Sequence, residues 1–118
     1  MLRYAAISVF ILFLFGNCKK ESPEHKITYS VYETSADSPS YNITYTSDKS
    51  GATTIANSSS ASWTSNGIIL NKGQFISLTV DCTAPTFELK LFVYVDGNLW
   101  EQKVMQDPVS TLTISGKP

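Results

Sequence analysis

The amino-acid sequence predicts an all-β fold, a single β-sandwich of about seven antiparallel strands. Apolar side chains recur at every second position over short stretches, which is the pattern of strands with one buried face. Turn-forming residues separate those stretches, and no helical period lies between them. These observations favour one sandwich over residues 27–118.

The first predicted strands begin this region. Residues 27–32 alternate apolar with polar side chains, and residues 41–46 repeat the pattern after a loop. Residues 47–51 are polar and end in a glycine that can adopt positive φ, which predicts a turn. Residues 52–56 can then pair back on the preceding strand as a hairpin.

The middle of the domain is less regular. Residues 57–62 are polar and rich in serine, which predicts an edge or a loop. Trp63 follows alone in this polar setting, so we expect it to fill one end of the core. Residues 68–70 and 75–82 flank a glycine-containing turn at 71–73, and this predicts a second hairpin.

The strongest turn signal lies near the C-terminus. Asp96-Gly97 separates residues 87–95 from residues 99–105, and Asp-Gly is a pair that two-residue hairpin turns prefer. Pro108 cannot donate to a ladder, so it should end this hairpin before a last strand over residues 109–115.

The cysteines predict a domain without an internal disulfide. Ile76, Leu78, Val80 and Cys82 alternate with polar neighbours, which places the Cys82 thiol on the apolar face of a strand. A buried cysteine there acts as a small hydrophobic side chain. A reactive or cross-linking thiol is the alternative. The other cysteine, Cys18, lies in a different kind of segment.

Residues 1–17 have the layout of a secretory signal peptide. Arg3 supplies a positive charge, residues 5–15 are an apolar run, and the small residue Gly16 follows. The run has eleven residues, whereas a helix needs about 20 to span a bilayer. We therefore expect the segment to be removed.

Phe15-Gly16-Asn17-Cys18 resembles the lipobox of lipoproteins that signal peptidase II cleaves. That motif usually has an aliphatic residue where Phe15 stands and a small residue where Asn17 stands. The resemblance implies acyl chains such as palmitate on Cys18, which anchor the chain to a membrane. No aspartate follows Cys18, so the outer membrane is the expected destination, on its periplasmic or its surface face. Cleavage as an ordinary signal peptide, with Cys18 a free thiol, is the alternative.

Residues 18–26 are charged and free of apolar side chains downstream of Cys18, which predicts a solvated tether. His25, the one histidine, lies in it, so the domain has no imidazole for general-base work. The scattered carboxylates have no recognised metal spacing. We therefore predict no catalytic residues, no metal and no cofactor, and a protein that is not an enzyme.

The charge balance argues against a nucleic-acid partner. Without residues 1–17 the chain has eight lysines against ten acidic residues, a net charge of −2. No basic patch is interleaved with aromatic side chains, which is the pattern that nucleic-acid binding needs.

Several short motifs are similar to those of small envelope proteins related to the MmpS group. They are the strand YNITYT at 41–46, Trp63 in mid-chain, Gly73 before an alternating strand, and VYVDG at 93–97. The resemblance spans roughly residues 27–104. It implies an immunoglobulin-like β-sandwich on a membrane anchor that assists envelope export or assembly. This chain has Ser62 where the group has a proline, and a lipid would replace a transmembrane helix.

The Asp96-Gly97 hairpin also predicts which side chains share a face. With a two-residue turn, Val95 faces Asn98, Tyr94 faces Leu99 and Val93 faces Trp100. A three-residue turn would exchange the faces. The core face of the hairpin then holds Leu91, Val93 and Trp100.

Phe92, Tyr94 and Leu99 fall on the opposite face of that hairpin. The charged side chains beside them mark this face as exposed to solvent: Glu88, Lys90, Glu101 and Lys103. An apolar cluster on such a face is a candidate contact site for a partner, unless a strand, a loop or the tether covers it.

Two functions fit these features. The first is a lipid-anchored cell-envelope protein that acts as a non-catalytic accessory module and contacts another envelope protein through Phe92, Tyr94 and Leu99. The alternative is a surface module that binds a glycan or another extracellular ligand, with Trp63 or Trp100 stacking on sugar rings.

Overall fold

The computed structural model describes residues 23–34, 39–84 and 86–118 of the chain. The predicted signal peptide and the lipidation site at Cys18 lie outside these residues. The described part forms nine strands: β1 (Glu24–Glu33), β2 (Tyr41–Thr46), β3 (Thr53–Ser58), β4 (Ser62–Thr64), β5 (Ile68–Asn71), β6 (Ile76–Cys82), β7 (Glu88–Val95), β8 (Asn98–Gln106) and β9 (Thr111–Gly116). Within it, no helix is long and apolar enough to cross a membrane.

The strands form two antiparallel sheets that pack face to face. The five-stranded sheet has the order β4-β1-β7-β8, and β5 pairs with β1 on the same side as β4. The four-stranded sheet has the order β3-β2-β6-β9. The prediction of a single β-sandwich is confirmed, with β4 around Trp63 as a strand that was expected to be irregular. The strand order does not confirm the immunoglobulin-like topology.

The core lies between the sheets and is formed by alternate residues of the strands. Cys82 is 1% exposed, and its Sγ lies 3.6 Å from the Ser40 carbonyl oxygen, so its predicted burial is confirmed. Full burial of a large apolar side chain stabilises the fold by about 1.5–3 kcal/mol. The large side chains buried most completely are Tyr29, Tyr41, Ile27, Ile43, Leu70, Ile76, Leu78, Leu89, Leu91, Met105, Ile114 and Val31.

A row of aromatic rings crosses this core. Tyr45 lies 5.2 Å from Tyr29 and 5.3 Å from Trp63, measured between ring centroids. Trp63 packs against the core from β4, in agreement with its predicted role. The Tyr29 hydroxyl donates to the Thr46 carbonyl oxygen at 2.9 Å, and burial raises the pKa of this phenol. The polar end of a buried tyrosine is thereby satisfied.

The turn at 71–73 does not close a hairpin, so that prediction was wrong. Residues of β5 pair with the start of β1 in the five-stranded sheet, whereas β6 pairs with β2 and β9 in the other sheet. Gly73 has the positive φ expected of it, 74°. The turn residues at 71–73 correctly predict a change of chain direction. The strand that β5 pairs with is β1, which is distant in sequence and cannot be identified from the turn.

The domain also starts earlier than predicted. β1 begins at Glu24, so the last residues assigned to the tether, His25 and Lys26 among them, belong to a strand. His25 Nδ1 lies 2.6 Å from Asp96 Oδ2, and the Lys26 amide donates to Asp96 Oδ1 at 2.8 Å. Backbone pairing and these polar contacts hold a segment that has no apolar side chains to bury.

Candidate functional site

The β7–β8 hairpin has the predicted two-residue turn. Asp96 and Gly97 have φ values of 52° and 85°, and positive φ at both central residues is typical of a type I′ turn. Val95 faces Asn98 and Tyr94 faces Leu99, as predicted. The turn therefore fixes the first two pairs of the ladder.

A β-bulge changes the register directly after those pairs. Val93 faces Glu101 and not Trp100, so the predicted Val93–Trp100 pair was wrong. Trp100 is the extra residue, and it is half-buried against the core. Its ring lies over Gly116, where a Cβ atom would come within 2.9 Å of it. The indole thus fills the side of the sandwich between the edge strands β8 and β9.

The bulge exchanges the two faces of β8. Gln102 now faces Phe92, and Val104 faces Lys90. Glu101 and Lys103, expected beside Phe92, instead lie opposite residues of the core face. The Lys103 ammonium donates to the Thr113 carbonyl oxygen of β9 at 2.9 Å. The outer face of the five-stranded sheet therefore lacks two charged side chains that the sequence placed there, those of Glu101 and Lys103.

We call this outer surface the contact face and define it by Tyr32, Phe92, Tyr94, Leu99 and Val104. Leu99 is 50% exposed, Val104 53% and Tyr32 49%. The rings of Phe92 and Tyr94 are 6.2 Å apart and near parallel, at 25°. The structure thus brings the three predicted contact residues together and adds two more. The alternation of residues in β1 predicts that Tyr32 lies on this side. Val104 could not be assigned to it from the sequence, because the bulge changes the face of every later residue in β8.

Polar side chains lie among and beside the residues of the contact face. Lys90 is exposed between Tyr32 and Val104, its neighbours on β1 and β8. The Glu88 carboxylate accepts hydrogen bonds from Thr34 Oγ1 at 2.8 Å and from Gln106 Nε2 at 2.9 Å. A shallow groove of about 160 Å³ runs past Lys90, Phe92 and Val104. Lys90 and Gln102 therefore lie among the apolar side chains of the contact face, and Glu88 lies at one end of it.

The outer face of the other sheet is mainly polar. We call it the hydroxyl face and define it by Thr44, Thr79, Asp81, Thr111 and Thr113. Thr79 and Thr113 are joined through their hydroxyls at 2.8 Å, and Thr111 donates to Asp81 at 2.5 Å. Polar groups that bond to one another in this way have little to gain from an apolar partner. On the neighbouring edge strand β3, Ile55 lies opposite Thr44 and is 72% exposed, so this face is mainly polar with one exposed apolar side chain at that edge.

The two tryptophans of the glycan alternative lie apart from the residues that define the contact face. Trp63 packs on Tyr45, with the ring centroids 5.3 Å apart, and one edge of the Trp100 ring lies beside Gly116. Both are half-buried against the core. The aromatic side chains that reach the contact face are those of Tyr32, Phe92 and Tyr94.

Ionisable groups form no metal cluster in the described part of the chain, where no three His, Cys, Asp or Glu side chains come together. The Asp96 carboxylate contacts His25 and Lys26, which are distant from it in sequence. The Lys26 amide, with help from His25, holds its pKa below the ordinary value. These contacts fasten the first strand to a turn.

No protein-family model matches this chain, and no curated protein matches it.

Proposed function

We propose that this protein is a lipid-anchored, non-catalytic accessory module of the bacterial cell envelope that contacts another envelope protein through the contact face. The observation that supports it best is the asymmetry of the sandwich. Three large hydrophobic side chains that are about half exposed lie on the outer surface of the five-stranded sheet: Tyr32, Leu99 and Val104. The outer surface of the other sheet is lined mainly with hydroxyls and carries the exposed Ile55 on its edge strand. Contiguous apolar surface bordered by polar groups is typical of interaction sites.

The composition of the contact face suits a protein partner. Aromatic side chains provide large contact areas with few rotatable bonds, and they are enriched at the centres of protein interfaces. Burying the exposed part of Leu99 and Val104 would contribute about 1 kcal/mol each by the usual area relation. Glu88 lies at one end of the contact face, where charges affect partner choice more than affinity.

The predicted anchor supports an envelope partner in particular. Cys18 lies six positions before Glu24, where β1 begins, and an extended chain of that length spans at most about 20 Å. Acyl chains on Cys18 would hold the domain that close to the membrane. Other proteins of the same envelope are then the partners within reach. The MmpS-related resemblance supports the same setting.

Site-specific photo-cross-linking in membranes of the source cells tests this proposal. A photoreactive residue at Phe92 should capture a protein, and the same residue at Thr79 on the hydroxyl face should not. The double variant Phe92→Ala, Tyr94→Ala should weaken the captured contact by about tenfold or more, whereas Thr44→Ala, Thr79→Ala leaves it unchanged. Full-strength contact by the first double variant would refute the contact face.

A glycan-binding role is the second candidate, favoured by the near-parallel Phe92 and Tyr94 rings beside Gln102. Aromatic rings and an amide are the groups that sugar recognition uses. An oligosaccharide should then raise the melting temperature of the protein, and the Phe92→Ala variant should lose that rise.

A further inference from the structure

Strand β3 is an outer edge whose backbone groups have no partner on one side. Ser47 donates its amide to the Ala52 carbonyl at 2.9 Å, and this pair closes the β2–β3 hairpin. Hydrogen-bonded pairs alternate along an antiparallel ladder, so residues 54, 56 and 58 bond to β2. Thr53, Ile55 and Asn57 therefore point their N–H and C=O groups outward. Among the described residues, these groups have no other backbone partner.

The other edges of the two sheets are protected against strand addition. β8 has the bulge at Trp100 and the inward Lys103, and both devices blunt an edge. β9 has its outward Thr113 carbonyl occupied by that same lysine. The remaining edge of the five-stranded sheet is divided between β4 and β5, with residues 65–67 interrupting the ladder.

β3 lacks every one of these devices. Its sequence, TTIANS, contains no charge and no proline, and its register with β2 has no bulge. Ile55 is 72% exposed, which is the highest value among the large hydrophobic side chains of the described residues. An uncharged edge with an exposed isoleucine at its centre is suited to pair with another strand.

We propose that β3 pairs antiparallel with β3 of a second copy of this chain. The three outward residues are spaced symmetrically about Ile55, so a two-fold axis at Ile55 places Ile55 opposite Ile55 and Thr53 opposite Asn57. Each opposed pair exchanges two hydrogen bonds. The strand is thus its own complement, as an isologous interface requires. The two four-stranded sheets become one continuous sheet.

Cysteine cross-linking of the full chain in a Cys18→Ser background tests the register. In the proposed pairing the two Ile55 Cα atoms are about 5.5 Å apart, a separation that a disulfide can bridge. Ile55→Cys should therefore form a disulfide-linked dimer on mild oxidation. The two copies of Thr53 are about 14 Å apart, so Thr53→Cys alone should not, whereas a mixture of Thr53→Cys and Asn57→Cys should.

Sedimentation of the same chain without introduced cysteines tests the association itself. Ile55→Lys places like charges opposite each other and should raise the dimer dissociation constant by about tenfold or more. Val109→Lys is the matched control, because Val109 is 50% exposed and lies outside β3. Circular dichroism should show both variants folded.

Several results would overturn the proposal. The first is that the chain stays monomeric up to about 1 mM, and the second is that Thr53→Cys cross-links as well as Ile55→Cys. The third is that Val109→Lys raises the dimer dissociation constant as much as Ile55→Lys does. Capture of a different protein by Ile55→Cys, in place of a second copy, would overturn it as well. None of these results bears on the contact face, which lies on the other sheet.

Discussion

At the scale of single residues, Asp96 shows how one carboxylate can fasten a strand that has no apolar anchor. Its two oxygens meet His25 and the Lys26 amide, and its own amide donates to the Lys26 carbonyl oxygen at 2.8 Å. The Lys26 amide, and then His25, lower the pKa of Asp96 in the folded protein. The ionised form is therefore the one that stabilises the fold.

We predict that Asp96→Asn lowers the stability of the protein at neutral pH. Because the folded pKa of Asp96 is lowered, its contribution is fully present above the ordinary pKa of about 3.9 and is lost as the pH falls through the folded pKa. The difference in the free energy of unfolding between the native protein and the variant should therefore be smaller in acid. Urea unfolding at pH 7 and at about pH 3 measures both differences.

Asp107→Asn is the matched control for that change. Asp107 is exposed in the turn after β8, and its side chain makes no hydrogen bond within the described residues. Two results would show that the Asp96 contacts do not stabilise the fold. One is an equal decrease in the free energy of unfolding in both variants, and the other is a decrease in Asp96→Asn that is the same at pH 7 and in acid.

Tyr29 and Tyr41 offer a paired prediction about buried hydroxyls. The Tyr29 hydroxyl donates to Thr46 in the buried core, whereas the Tyr41 hydroxyl donates to Ser60 at a part-buried site. Tyr29→Phe should lower the free energy of unfolding by about 1–2 kcal/mol, because a buried carbonyl loses its donor. Tyr41→Phe should lower the free energy of unfolding by less, because water can donate to the Ser60 carbonyl oxygen in place of the lost hydroxyl. Urea unfolding ranks the two, and the reverse order would contradict the argument.

At the scale of the strands, local patterns predicted most of the fold. The alternation of apolar residues located the core faces of β1, β2, β6 and β7, and Asp96-Gly97 located the tightest turn. Pairing was predicted only where a short turn links the partners. The 71–73 turn has the same local chemistry as a hairpin but joins different sheets, because the start of β1 offers β5 an edge. No local pattern contains that information.

The bulge at Trp100 limited the prediction of the contact face in the same way. Phe92, Tyr94 and Leu99 were placed together correctly because the two-residue turn determines their parity. Beyond them, the face of each residue depends on Trp100 packing over Gly116, which is distant in sequence. Val104 consequently joins the contact face, and Lys103 leaves it.

A double-mutant cycle tests this packing. Gly116→Ala should destabilise the protein by about 1–3 kcal/mol, because the new Cβ atom would lie 2.9 Å from the Trp100 ring. In a Trp100→Leu background, Gly116→Ala should lower the free energy of unfolding by less, because the indole ring is absent. Gly97→Ala is a control with positive φ and open space around it. An equal cost of Gly116→Ala in both backgrounds would exclude the indole contact.

At the scale of the whole molecule, the position of β1 makes the predicted anchor and the domain separable. β1 begins at Glu24, six positions after Cys18. Cys18→Ser should therefore abolish acylation and membrane fractionation, while the melting temperature of the domain stays the same. Intact mass of the protein extracted from membranes, with and without the change, measures the first effect. A native mass without acyl chains would refute the anchor and leave a secreted domain with two thiols.

Edge pairing through β3 would also determine how two anchored copies are oriented. Antiparallel strands turn one copy end over end, so the two chain starts emerge at opposite ends of the dimer. Both anchors can then reach one bilayer only if the strands lie along its plane, with the two-fold axis upright. In that posture one sheet of each copy faces the lipid headgroups and the other faces away. If the hydroxyl face is the lower one, both contact faces are presented upward, side by side, as a two-site platform.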